Sequence, residues 1–185
     1  MAKTNLYFTA IITIAIWSLL CWNYYHGGVP RHHLLHREDL PAISNWWGGF
    51  LLPLLTWILL YRIQKRLMRD DVEKAKESKL PSNIVYGFIG ALFFGILLSA
   101  LFTLGYSDIM GWLLIGILLL ALFFPIYRAE CLLGFVIGMT YTFGTVLPTA
   151  FGSLIVLICA ALYLYLRPVI LYIVSKLSNK HQADK

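Results

Sequence analysis

Residues 84–105 read IVYGFIGALFFGILLSALFTLG, without a single Asp, Glu, Lys, Arg or His. A hydrocarbon core about 30 Å thick takes about 20 residues of helix to cross, so a run this long and this free of charge is the mark of a membrane span. Five further runs, none with an ionisable side chain in its middle, give expected spans at residues 6–23, 46–62, 109–127, 131–147 and 150–167. The fold class is therefore all-α: a polytopic membrane bundle of six transmembrane helices forming a single integral membrane domain over residues 1–185. An outer loop occupies residues 24–45, an inner charged loop residues 63–83, and a tail residues 168–185. Hydrophobic residues make up 59% of the chain and charged ones 13%, against roughly half and a quarter in soluble domains, which excludes that class.

The net charge of +6 does not call for nucleic acid, because its distribution is topogenic. With the N-terminus inside, thirteen of the fifteen Lys and Arg residues fall on the inner side and only Arg31 and Arg37 fall outside. Both termini are then cytoplasmic, and the chain is a multi-pass protein of the plasma membrane, or of the inner membrane in a bacterium. The bulky Trp22, Asn23, Tyr24 and Tyr25 after the first run suit an uncleaved signal anchor rather than a cleavage site. Cys21, Cys131 and Cys159 have no CxxC spacing and read as small packing residues. A helical extension of the second span into the inner loop is one reading, and a solvated hairpin is the other. The tail either continues span six or lies along the inner surface.

Packing faces are the clearest signal inside the membrane. Gly87, Ala91, Gly95, Ser99 and Thr103 recur at every fourth position, a row of small side chains along one ridge of span three. Hydrophobic drive between helices is weak in lipid, and close backbone approach along such a row promotes association. Gly134 and Gly138 repeat the pattern in span five, making spans three and five the inner helices. The same small-residue faces suit a second copy or another membrane protein as partner, and lipids are partners throughout. A competing reading puts a polar cavity near the outer end of spans five and six, lined by Thr140, Thr142, Thr145, Thr149 and Ser153. On the inner side, Arg128 and Glu130 in the turn between spans four and five are expected to face each other or Arg62.

Four of the five histidines lie in the outer loop. Pro30 is placed to open a short helix over residues 31–39, on which His32, His36 and Asp39 share one stripe. Two imidazoles and a carboxylate make a three-ligand zinc site with an open position for water, and His26 or His33 can substitute for one ligand. The alternative is an interfacial loop that meets headgroups. Ser44 or Asn45 caps span two, and Trp46 and Trp47 belong to the aromatic belt. Asn45, Trp46, Trp47, Tyr141 and Thr145 are the candidate lipid or substrate contacts.

The absence of charge within the spans removes the usual sign of proton coupling. Two functional classes stand. The first is a non-catalytic transport, lipid-handling or assembly bundle without proton coupling. The second is a metal-dependent membrane enzyme acting at the outer interface on a lipid or lipid-linked substrate.

Overall fold

The computed structural model describes residues 2–28, 31–33, 42–70 and 81–183. It is 88% helical, which fixes the all-α class. Helix α1 (Ala2–Tyr25) leads to a two-stranded antiparallel hairpin of β1 (Arg31–His33) and β2 (Ala42–Ser44). A 3-10 turn (Asn45–Trp47) then opens α2 (Gly48–Asp70), followed by α3 (Ser82–Thr103), α4 (Ser107–Leu120), α5 (Ala129–Phe143) and α6 (Val146–Ala161). Helix α6 continues without a break through a π-helical turn (Leu162–Leu166) into Arg167–Ala183.

Helices α3 and α5 form the central seam. Gly87 lies against Glu130, and Gly95 against Phe135 and Gly138, so contacts advance together along both helices and the two run parallel. Here only glycine fits: a Cβ at Gly95 would sit 2.7 Å from the Phe135 carbonyl oxygen, and one at Gly134 would collide with the Phe88 carbonyl. The small-residue ridge read from the sequence is therefore the closest helix contact of the bundle. Helix α2 runs antiparallel to α5, with Gly48 against Thr145 at one end and Arg66 against Glu130 at the other. Outside this core α1 covers α2, its Trp17 and Leu20 packing on Gly49. Leu20, Leu98, Leu133 and Val136 are among the most deeply buried apolar side chains.

Among the described residues, four helices are long and apolar enough to cross a membrane, at Lys3–Tyr25, Asn45–Arg69, Ser82–Thr103 and Val146–Ile173. Helices α4 and α5 are shorter than expected, with 14 and 15 residues, about 21 and 22 Å of helix. The span placed at residues 109–127 stops at Leu120, because Pro125 bars Phe124 from helical geometry and the chain passes through turns to Arg128. The span placed at 131–147 ends at Phe143, where Gly144 takes φ +70°, a left-handed terminator. Pro148 falls in the first turn of α6, where no helical donor is lost.

Of the two readings of the tail, the structure has the continuation of span six as helix. Pro168 is absorbed by the π turn, in which the Arg167 N–H donates to the Leu162 carbonyl five residues back. The helix expected over residues 31–39 does not start where the sequence placed it, since Arg31, His32 and His33 pair with Ser44, Ile43 and Ala42 in a ladder. Gly27 and Gly28, at φ +116° and +94°, turn the chain out of α1 toward that strand. Helix α2 does extend well into the inner loop, to Asp70; Glu73 and Glu77 lie outside the described residues.

Candidate functional site

Helix α3 presents two different faces. One is sealed against α5. The other borders a cavity of about 760 Å³ bounded by α3, the second half of α4, the turn after it, the first half of α5, and α6. Its lining positions on α3 extend from Asn83 to Leu97, about 21 Å of helix, so the cavity is a slot along the bundle. The short α4 explains the gap. Helix α3 rises about 33 Å over its 22 residues, whereas α4 covers only two-thirds of that before Pro125 forces the chain into turns. Phe124, Pro125 and Ile126 then close the slot at that end.

The slot is apolar along most of its length, with Phe94, Leu97, Phe135 and Val156 among its walls. Polar groups gather at one end: Asn83 from α3, Arg128 at the start of α5, and Glu130 in its first turn. Glu130 is 1% exposed, and its Oε1 accepts a hydrogen bond from Arg66 Nη2 at 2.9 Å. The partner is therefore Arg66, rather than the Arg62 or Arg128 expected from the sequence. Arg66 lies one helical turn beyond Arg62, and only the depth at which α2 packs on α5 selects between them. Glu130 Oε2 is buried without a hydrogen-bond partner among the described residues. Opposite it, the absent side chain of Gly87 leaves the room the carboxylate occupies.

A second, smaller pocket of about 260 Å³ adjoins this polar end. Arg62 and Arg66 of α2 and Arg128 of α5 line it together with Tyr127, whose ring lies 5.5 Å from that of Tyr163. Arg128, Leu132 and Val156 line both spaces, which adjoin there. Tyr163 also carries the Arg167 guanidinium 4.6 Å above its ring, a cation–π contact that adds charge to this end.

The opposite end holds the residues singled out in the sequence. Ser44 caps the 3-10 turn by accepting from the Trp46 N–H. Asn45 packs its amide directly on Gly144, and Thr145 is fully buried against Gly48. Asn45 and Thr145 thus meet at one corner where α2 crosses α5. Trp46 and Trp47 face outward with Trp17 and Tyr24 around them, and Tyr141 is 81% exposed, turned away from that corner. The hydroxyls of Thr140 and Thr149 donate to the carbonyls of Val136 and Thr145 four residues back, whereas Thr145 Oγ1 is buried without a hydrogen-bond partner among the described residues. The large cavity lies nearer the other end.

His26 stacks on Trp22 at 3.9 Å and donates from Nδ1 to the Trp22 carbonyl oxygen. The backbone of His32 and His33 is in β1, while His36 and Asp39 lie outside the described residues. Among the described residues no group of three His, Cys, Asp or Glu side chains is placed to hold a metal ion. No family model matches the chain, and neither the curated proteins nor the solved structures provide a match to it.

The sequence pattern did not disclose the slot. The usable signals were Pro125 within an apparent span and Gly90 off the sealed ridge, where an added Cβ meets no atom within 4 Å.

Proposed function

We propose that this chain is a lipid-handling membrane bundle that holds an amphiphile in the slot between α3, α4, α5 and α6, without catalysis and without proton coupling. The observation that carries this reading is the slot itself. Its volume falls in the range of ligand sites, its walls are apolar, and its few polar groups converge at one end. A long narrow shape suits an acyl chain better than a compact ring system. The rim residues Tyr86, Phe93 and Phe124 face outward, so a lipid enters sideways from the bilayer rather than through water. The polar end carries most of the basic residues near the slot, which supports a position at the cytoplasmic leaflet, with both termini inside.

Two measurements test this. A fluorescent diacylglycerol titrated into the purified full chain in detergent binds saturably, and Gly90→Leu, which fills the slot, abolishes saturable binding while the protein stays monodisperse. Equal binding by both forms removes the slot as the site. For orientation, in a cysteine-free background, an impermeant thiol reagent applied outside labels a cysteine introduced at His33 and misses one at Lys74. The reverse pattern inverts the bundle in the membrane.

A further inference from the structure

The arginine pocket and the apolar slot adjoin at Arg128, Leu132 and Val156, and that juxtaposition specifies more than a hydrophobic ligand. Arg62, Arg66 and Arg128 all line about 260 Å³ of space, with no acidic side chain among the described residues lining it. Glu130 lines the slot instead, and it is held by Arg66. Counting that carboxylate against Arg62, Arg66 and Arg128 leaves a local charge of +2. No ion pair involves Arg62 or Arg128 among the described residues, so their donors are available. Positive-inside topology accounts for arginines near an inner helix end, but it does not require residues from α2 and from the α4–α5 turn to face one pocket. Guanidinium groups present planar forks of donors that match phosphate oxygens, and a partly enclosed site strengthens such bonds. The pocket also lies beside the N-terminus of α5, through Ala129, where the helix dipole favours an anion.

We infer that the arginine pocket takes the phosphate-bearing head of an anionic lipid whose acyl chain occupies the slot. The inference rests on the slot reading and names the class of lipid it selects. Glu130 acts here as a positioning residue: it fixes the Arg66 guanidinium at the boundary between the two spaces, leaving its remaining N–H groups for the head. Arg62 and Arg128 contact the phosphate from two elements, so a phosphate monoester, with its oxygens unencumbered, is preferred over a head masked by choline.

The test compares lipids that share acyl chains. Purified full-length protein is titrated with dioleoyl phosphatidic acid, dioleoyl phosphatidylcholine and dioleoylglycerol, each in competition with the fluorescent diacylglycerol, and separately with inorganic phosphate. Phosphatidic acid is expected to compete about ten- to a hundredfold more strongly than dioleoylglycerol, the worth of one or two charge-assisted hydrogen bonds, with the advantage shrinking as salt rises. Arg62→Gln removes most of that advantage while dioleoylglycerol binding persists, because Arg62 lines the arginine pocket and not the slot and is no part of the Arg66–Glu130 pair. Should that variant unfold, Arg62→Lys serves instead, retaining charge but not the fork, and is expected to lose much of the preference. Equal competition by phosphatidic acid and dioleoylglycerol overturns the headgroup assignment and leaves the slot standing. Failure of every lipid to compete overturns both. Binding of inorganic phosphate as tight as that of phosphatidic acid makes the pocket a free-phosphate site and overturns the lipid assignment.

Discussion

The two sides of α3 are built from the same residue type with opposite results. Gly95 and its partners Gly134 and Gly138 bring the α3 and α5 backbones into contact, leaving no room for a Cβ. Gly90, on the other side, meets nothing within 4 Å and borders the slot. A glycine in a span thus has no single meaning; what faces it decides whether its missing side chain closes a seam or leaves a space. The facing elements differ in how they pack rather than in length: α5 sets its own glycines directly on the α3 backbone, whereas α4, of nearly equal length, ends at Leu120 on the border of the slot.

The largest effect should come from breaking the seam. Gly95→Leu places a branched side chain against the Phe135 carbonyl, and because a backbone rather than a flexible side chain must yield, the cost is expected to reach or exceed the about 1–3 kcal/mol of ordinary overpacking. Loss of monodisperse protein, or a steep fall in the thermal midpoint, is the expected outcome. Tolerance of the change would move α3 out of the core.

Next comes the polar boundary between seam and slot. Arg66→Ala strands a buried carboxylate, and leaving such a group without its donor costs about 1–3 kcal/mol; the 28% exposure of Arg66 keeps the loss from being larger. Adding Glu130→Gln removes the stranded charge, so the double variant should recover part of the thermal midpoint. If the double variant is no more stable than Arg66→Ala alone, the pair does not neutralise Glu130 in the way described.

A smaller effect, or one of opposite sign, is expected on the slot side. Gly90→Leu raises helix propensity at a position with free space around it, so the thermal midpoint should hold or rise while amphiphile binding is lost. A midpoint loss matching that of Gly95→Leu would erase the distinction between the two faces. The smallest change is expected at the far end, where Tyr141→Ala alters an outward-facing ring and should shift stability by no more than about 0.5 kcal/mol. A larger loss in detergent would show that Tyr141 packs against something in the folded bundle.

Local chemistry made part of this legible in advance. Pro125, Pro148 and Gly144 punctuate the last third of the chain, and each ends or opens a helix where its backbone geometry requires. Reading apolar content alone carried one expected span through Pro125 and another past Gly144. The outer loop was harder, because Arg31–His33 gains its ladder from Ala42–Ser44, a partner that helix-period reasoning within residues 31–39 does not consider.

The sequence by itself determined that this chain is helical and apolar enough for a membrane, that its basic residues collect at one set of helix ends, and that α3 and α5 carry a ridge of small residues. Those properties follow from composition and a period of 3.6, which a linear string records in full. Only the tertiary structure decided that Arg66 and not Arg62 meets Glu130, that α4 leaves a slot, and that three arginines from two elements share one pocket beside it. Each depends on the depth and rotation at which one helix packs on another. Those are fixed by shape complementarity summed over many weak contacts, and no short stretch of sequence encodes them.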